Sequence, residues 1–207
     1  MFDTPAIMTG FTATFVLIAT IGAQSTYVLR QGILRQYAIT AAFWCILIDV
    51  LFIAAGIAGI GLLIHQIPWL LSALRVLGAA YLCLLAWQSI QKARNPAVFS
   101  QVRNGQIKTR QKVTREILGI TLLNAQMYID LVLISTLASA FGYPGQWWYY
   151  LGAIAASAAW FSGLAFAGAA LTPLFQSKRA WQILESATAL VMIFVAWHLI
   201  EPLVFVP

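Results

Sequence analysis

The chain has 207 residues, 61% of them hydrophobic and 9% charged, with a mean hydropathy of +0.84 and a formal net charge of +6. A composition this apolar does not suit the surface of a soluble domain, and it argues against soluble catalysis or nucleic-acid binding. The positive charge lies between apolar stretches, where it reads as a topology signal.

Six apolar stretches follow one another, and each is expected to be a helix. The first runs over about 5–29. No Lys or Arg precedes it and it is long and Thr-rich, so it reads as a retained span and not a cleaved leader. The second runs over about 38–64 and stops at the turn signal His65-Gln66-Ile67-Pro68. The third runs over about 69–93. A polar, basic loop is expected over about 94–115, with Asn95-Pro96 and Asn104-Gly105 as breakers. The fourth runs over about 116–141 and ends at Gly142-Tyr143-Pro144-Gly145. The fifth runs over about 147–173, with Pro173 near its end, and the sixth over about 180–202. Each is long enough to cross a hydrocarbon core about 30 Å thick. The expectation is an all-α integral membrane protein, with residues 1–207 forming a single transmembrane domain.

Six alternating spans place eleven of the twelve Lys and Arg residues on one side, the exception being Arg75. Arg30 and Arg35 fall between the first two helices, Lys178 and Arg179 between the last two, and the rest around the 94–115 loop. The positive-inside rule makes that side cytoplasmic and puts both termini outside. Trp69, Tyr143 and Trp147 then fall at the outer interface, and Tyr37, Trp87 and Trp181 at the inner one. The basic loop also suits anionic lipid headgroups, at about 1 kcal/mol per basic residue. Gly56, Gly59, Gly152, Ala156, Gly163 and Ala167 offer small faces for helix packing, compatible with a monomer or a homodimer. Cys45 and Cys83 read as apolar fillers. No motif joins His65 and His198, so no metal, haem or other cofactor is expected.

Three spans per half give the halves opposite orientation, the inverted repeat seen in many secondary transporters. A short echo fits this arrangement. Gly22-Ala23-Gln24-Ser25-Thr26-Tyr27 in the first helix parallels Asn124-Ala125-Gln126-Met127-Tyr128-Ile129-Asp130 in the fourth. Both place an amide within an apolar helix, where a polar group left unsatisfied costs several kcal/mol.

Asp49, Asp130 and Arg75 stand out as charges well inside apolar stretches, each costing at least about 2.5–3.5 kcal/mol at mid-bilayer. Asp130 follows Gln126 by four residues, so the two share a helix face. Asp49 lies near the middle of the second helix, with Cys45, Ile53 and Gly56 on its face. Arg75 lies nearer the outer side of the third. Three readings stay open. Arg75 pairs structurally with one Asp; or one Asp carries a proton; or the two carboxylates bind a cationic substrate. One guanidinium cannot neutralise two carboxylates, so the residual charge favours a proton or a cation over an anion.

The run from Ile21 to Ile33, with Gly22-Ala23-Gln24-Ser25 and Arg30-Gln31-Gly32, resembles the first signature of the LysE family of amino-acid exporters. Ile48-Asp49-Val50-Leu51 is similar to that family's second-helix Asp segment, and Asn124-Ala125-Gln126-Met127-Tyr128-Ile129-Asp130 to its Asn-Pro-x-x-Tyr-x-Asp segment. Trp160-Phe161-Ser162-Gly163 resembles its fifth helix. The basic amino-acid branch is the nearest in pattern. The resemblance implies a secondary transporter, not an enzyme, that exports an amino acid across the bacterial inner membrane, driven by the proton motive force. It implies that Asp49 and Asp130 are the functional carboxylate pair. On this reading the substrate is cationic, of the lysine or arginine type. Gln24, Ser25, Asn124 and Gln126 hydrogen-bond it or bridge the helices, with Tyr128 a further candidate. Arg75 holds its α-carboxylate or ties down one Asp, and one half rocks against the other. The alternatives are export of a neutral amino acid or other small metabolite, and a non-transporting membrane accessory protein. The chain departs from the family pattern at Ala23 and Ala125, where the family has Pro, and at Ser25, where it has Asn. With Ala in place of Pro, the first and fourth helices are expected to run more continuously.

Overall fold

The computed structural model describes residues 3–19, 22–60, 68–94, 109–175 and 177–204. Among them there are helices and short turns and no strand. We number the α-helices α1 Thr4–Ile18, α2 Ala23–Ile33, α3 Ala38–Ala55, α4 Pro68–Arg94, α5 Arg110–Leu122, α6 Ala125–Ser139, α7 Gly142–Leu171 and α8 Lys178–Val204. α3 continues as a π-helical turn, Gly56–Ile60, and α7 as a 3-10 turn, Thr172–Phe175.

The expected continuity of the first and fourth stretches is overturned. The first is two helices, α1 and α2, bent by 81°, and the fourth is α5 and α6, bent by 60°. Losing proline does not restore the helix, because other residues hold the breaks open. Gly22 is extended before α2 (φ −111°, ψ 179°), and Asn124 is extended before α6 (φ −80°, ψ 104°). The Asn124 side chain accepts from the Gln126 backbone N–H at 3.2 Å, as an N-cap residue does. The carbonyl of Leu122, freed at the end of α5, accepts from the Tyr128 hydroxyl at 2.9 Å.

Other boundaries move as well. The second stretch loses α-helical geometry at Gly56, and residues 61–67 lie outside the described residues. Of the expected basic loop, residues 95–108 also lie outside them, whereas Arg110–Arg115 are helical. Thr109 caps that helix by accepting from Lys112 N at 3.3 Å. Arg30 is not a connection residue but lies in the last turn of α2, buried.

α3 with its π turn, α7 and α8 are each long and apolar enough to cross a membrane, and each bent pair reaches that mark when taken as one span. That gives three to five crossings. Apolar side chains point outward along these helices, among them Val16, Phe166, Leu190 and Trp197, as a lipid-facing surface requires.

The described residues that flank the three connections rich in Lys and Arg gather at one end of the bundle. There Gln182 Nε2 donates to the Ala93 carbonyl at 3.1 Å, Arg35 Nε to Thr172 Oγ1 at 3.4 Å, and Trp44 Nε1 to Thr114 Oγ1 at 3.2 Å. We call this the basic end. Two apolar cores fill the bundle. One, nearer the basic end, joins α2, α3, α4, α5, α7 and α8 through residues such as Val28, Cys45, Leu82, Ile117, Phe161 and Met192. The other joins α1, α3, α6 and α7 through Ala6, Ile53, Ile134 and Tyr149. Close backbone approach sets α1 against α7: a Cβ at Gly152 would lie 2.0 Å from the Ile7 carbonyl oxygen. Gly163, by contrast, faces open space.

Candidate functional site

The two helix breaks meet at one place. Gln24, in the first turn of α2, donates through Nε2 to Thr121 Oγ1 at 2.8 Å, just before the second break. The two bent pairs are thus tied together where their backbones leave helical geometry. Beside them lies a cavity of about 580 Å³, within the usual range for small-ligand sites.

Seven of the eight residues singled out from sequence line this cavity: Gln24, Ser25, Asp49, Arg75, Asn124, Gln126 and Asp130. Tyr128 does not. Its hydroxyl serves the Leu122 carbonyl, and its ring sits edge-on to Phe52 with centroids 5.7 Å apart. It holds the break.

Among the described residues each carboxylate has one hydrogen bond. The Ser157 hydroxyl donates to Asp49 Oδ2 at 2.6 Å, and Gln126 Nε2 donates to Asp130 Oδ1 at 2.8 Å. The second bond follows from the four-residue spacing on α6. The first crosses from α7 to α3 and had no signal in the sequence, since Ser157 sits in a run of Ala and Gly. Ser25 accepts from the Trp160 indole N–H at 3.2 Å. Arg75 shares the cavity but makes no ion pair with either Asp among the described residues.

The charge arrangement has two signs. Asp49 and Asp130 are negative. Arg75 is positive, and the first turns of α2 and α6 line the cavity with the partial positive charge of helix N-termini. The remaining wall is largely apolar, with Leu17, Phe52, Ile134, Phe161 and Phe194. His198, given no role from sequence, also lines it, with Nδ1 3.2 Å from Glu201 Oε2. Among the described residues no cluster of three or more His, Cys, Asp or Glu side chains is placed to hold a metal ion.

An all-helical membrane protein with broken spans around a central cavity of mixed polarity is built as a solute translocator is built. Residues 15–201 match the model of the family described as LysE type translocator, and the chain belongs to that family. It is similar to the arginine exporter protein ArgO of Enterobacter sp. (strain 638), with 32% identity over 184 residues, 88% of this chain and 87% of the relative. It is 33% identical to ArgO of Klebsiella pneumoniae over 186 residues, with 88% and 87% covered. With ArgO of Salmonella typhimurium the identity is 32% over 191 residues, with 92% and 90% covered. No solved structure matches the chain.

Proposed function

We propose that the protein is a secondary transporter exporting an amino acid with a cationic side chain, of the arginine or lysine type, from the bacterial cytoplasm. One observation carries this reading: Asp49 and Asp130 line the same cavity with no cationic partner among the described residues. A guanidinium or ammonium group supplies the missing charge. The α-carboxylate suits the first turns of α2 and α6, where backbone N–H groups and the helix dipole favour an anion. Arg75, unpaired with either Asp, suits the same carboxylate. Binding therefore uses both signs of the site, and no bond of the substrate is made or broken.

In this proposal the basic end faces the cytoplasm, as the positive-inside rule directs, and both termini lie outside. α4, whose 27 residues span about 40 Å, supplies a sixth crossing. The chain is then one domain of two inverted halves, α1–α4 and α5–α8. The matching Ala-Gln at the starts of α2 and α6 supports that division. Export is coupled to the proton motive force, with Asp49 or Asp130 taking up the proton once the substrate leaves.

A second reading, export of a neutral amino acid, is favoured by the apolar wall at Leu17, Phe52, Phe161 and Phe194. Efflux from cells loaded with arginine-, lysine- or leucine-containing dipeptides separates the two. Cationic export predicts that the protein lowers internal arginine or lysine and leaves leucine unchanged. Loss of leucine alone favours the second reading. No efflux of any of them returns the protein to an accessory role.

A further inference from the structure

Buried charge is not confined to the cavity. An ion pair between Arg30 and Glu185 joins α2 to α8, and the two residues are 4% and 0% exposed. One turn earlier on α2 the Tyr27 hydroxyl donates to Glu116 Oε2 at 2.7 Å, joining α2 to α5. Lys92 of α4 and Thr188 of α8 face the same narrow crevice. This layer lies between the cavity and the basic end. α2 passes from the cavity at Gln24 and Ser25, through the layer at Tyr27 and Arg30, to the turn at 34–37. α8 runs the opposite way, from Glu185 in the layer to His198 in the cavity.

Packing divides the molecule at the same boundary. α4 and α8 pack on each other along their length, whereas α1, α2 and α3 all pack on α7. The two-helix arm, α4 with α8, meets the six-helix body less extensively. The cavity lies between them, with Arg75, Phe194 and His198 on the arm and Asp49, Gln126 and Asp130 on the body. A Cβ at Gly78 of α4 would lie 2.1 Å from the Leu123 carbonyl oxygen, so the arm touches the body directly at the second break. Arg30 and Glu185 bridge arm and body on the basic side of that contact.

We propose that the Arg30–Glu185 pair is the latch of a gate on the basic side of the cavity. α4 and α8 swing as one unit against the other six helices, and the pair holds that side shut until the swing parts the two side chains. This rests on the transport function proposed above. The arm takes one helix from each half, so the moving boundary differs from the rocking of one half on the other expected from sequence.

The chemistry suits a reversible latch. In a buried pair the attraction is largely offset by desolvation of both ions. Here Arg30 Nε and Glu185 Oε2 also have no hydrogen-bond partner among the described residues. Removing one partner strands a buried charge in the shut state and favours the open one, where water reaches it. Exchanging the two side chains restores the opposite charges across the boundary, and with them the latch.

The test uses the full chain in membrane vesicles of both orientations, with Cys45 and Cys83 replaced by Ala. Thr188→Cys reports from beside the latch, and Ser177→Cys, at an exposed position of the basic end, marks which face that end occupies. A membrane-impermeant maleimide is the probe, without substrate. Glu185→Gln and Arg30→Gln are each expected to speed Thr188→Cys labelling by about tenfold or more, on the face that labels Ser177→Cys. Arg30→Glu with Glu185→Arg, which restores an ion pair across the same boundary, is expected to return it to the slow rate. Unchanged labelling in both single variants overturns the latch, as does fast labelling in the double variant. Because no amino acid is present, failure of the substrate assignment leaves this result standing. The vesicle orientation that labels Ser177→Cys reads the membrane orientation independently.

Discussion

Gly78→Ala adds one methyl group at the contact between α4 and the second helix break. The new Cβ would lie 2.1 Å from the Leu123 carbonyl oxygen, a backbone atom that cannot swing aside, and 3.4 Å from Leu199 Cδ1. Real Cβ atoms essentially never come within 3.0 Å of a non-bonded heavy atom, so α4 must retreat by about 1 Å. Overpacking of this kind costs about 1–3 kcal/mol, whereas Gly to Ala inside a helix gains up to about 1 kcal/mol. Gly163→Ala is the matched control: it is also within a helix, but nothing lies within 4 Å of its Cβ. It keeps the gain without the clash. The two variants should therefore differ in stability by about 1–3 kcal/mol, with Gly78→Ala the lower. Arg75 lies three residues away on the same helix, so the retreat also displaces a cavity residue, and Gly78→Ala should export more slowly than Gly163→Ala. Thermal unfolding in nanodiscs and efflux at matched membrane levels read the two effects. Equal melting temperatures and equal efflux for the two variants would refute the direct seating of α4 on the break.

Two further outcomes follow from the site. Asn124→Ala removes the α6 cap and should lower stability by about 1 kcal/mol, read by faster hydrogen exchange in the first turn of α6 with the far end of α6 unchanged. Ser157→Ala removes the hydroxyl that orients Asp49, a bond worth about 1 kcal/mol, and should reduce the apparent affinity for the exported amino acid about fivefold. Because Ser157 acts through Asp49, the same change should add little in an Asp49→Asn background; a full additional loss there would contradict that route.

Hydropathy alone marks the apolar stretches, and charge placement alone marks Asp49, Asp130 and Arg75, because an ionised group within such a stretch needs a polar surrounding. Those residues do reach one cavity, together with Gln24, Ser25, Asn124 and Gln126. The breaks were less legible. Asn124 and Gln126 interrupt a long apolar stretch only briefly, and reading Ala23 and Ala125 as helix-continuing residues overlooks the cap that Asn124 forms and the carbonyl that Tyr128 serves. Arg30 read as a loop charge because it closes an apolar stretch. Its partner Glu185 is 155 residues away, a pairing no local pattern can announce. Ser157 was hidden for the same reason, since its role exists only once α7 packs on α3.

The central claim is that Asp49 and Asp130 bind the positive charge of an exported amino acid. The most direct measurement is radiolabelled arginine and leucine transport by the purified protein in proteoliposomes, wild type against Asp49→Asn and Asp130→Asn. Each amide can keep the hydrogen bond from Ser157 or Gln126 through its carbonyl oxygen while losing the charge. Losing a charge-assisted contact worth about 1.5–3 kcal/mol should weaken arginine transport roughly 10- to 150-fold in each variant. The account predicts that loss in folded, reconstituted protein, with leucine not carried by any form. Arginine transport unchanged in both variants, or leucine carried in place of arginine, would contradict it.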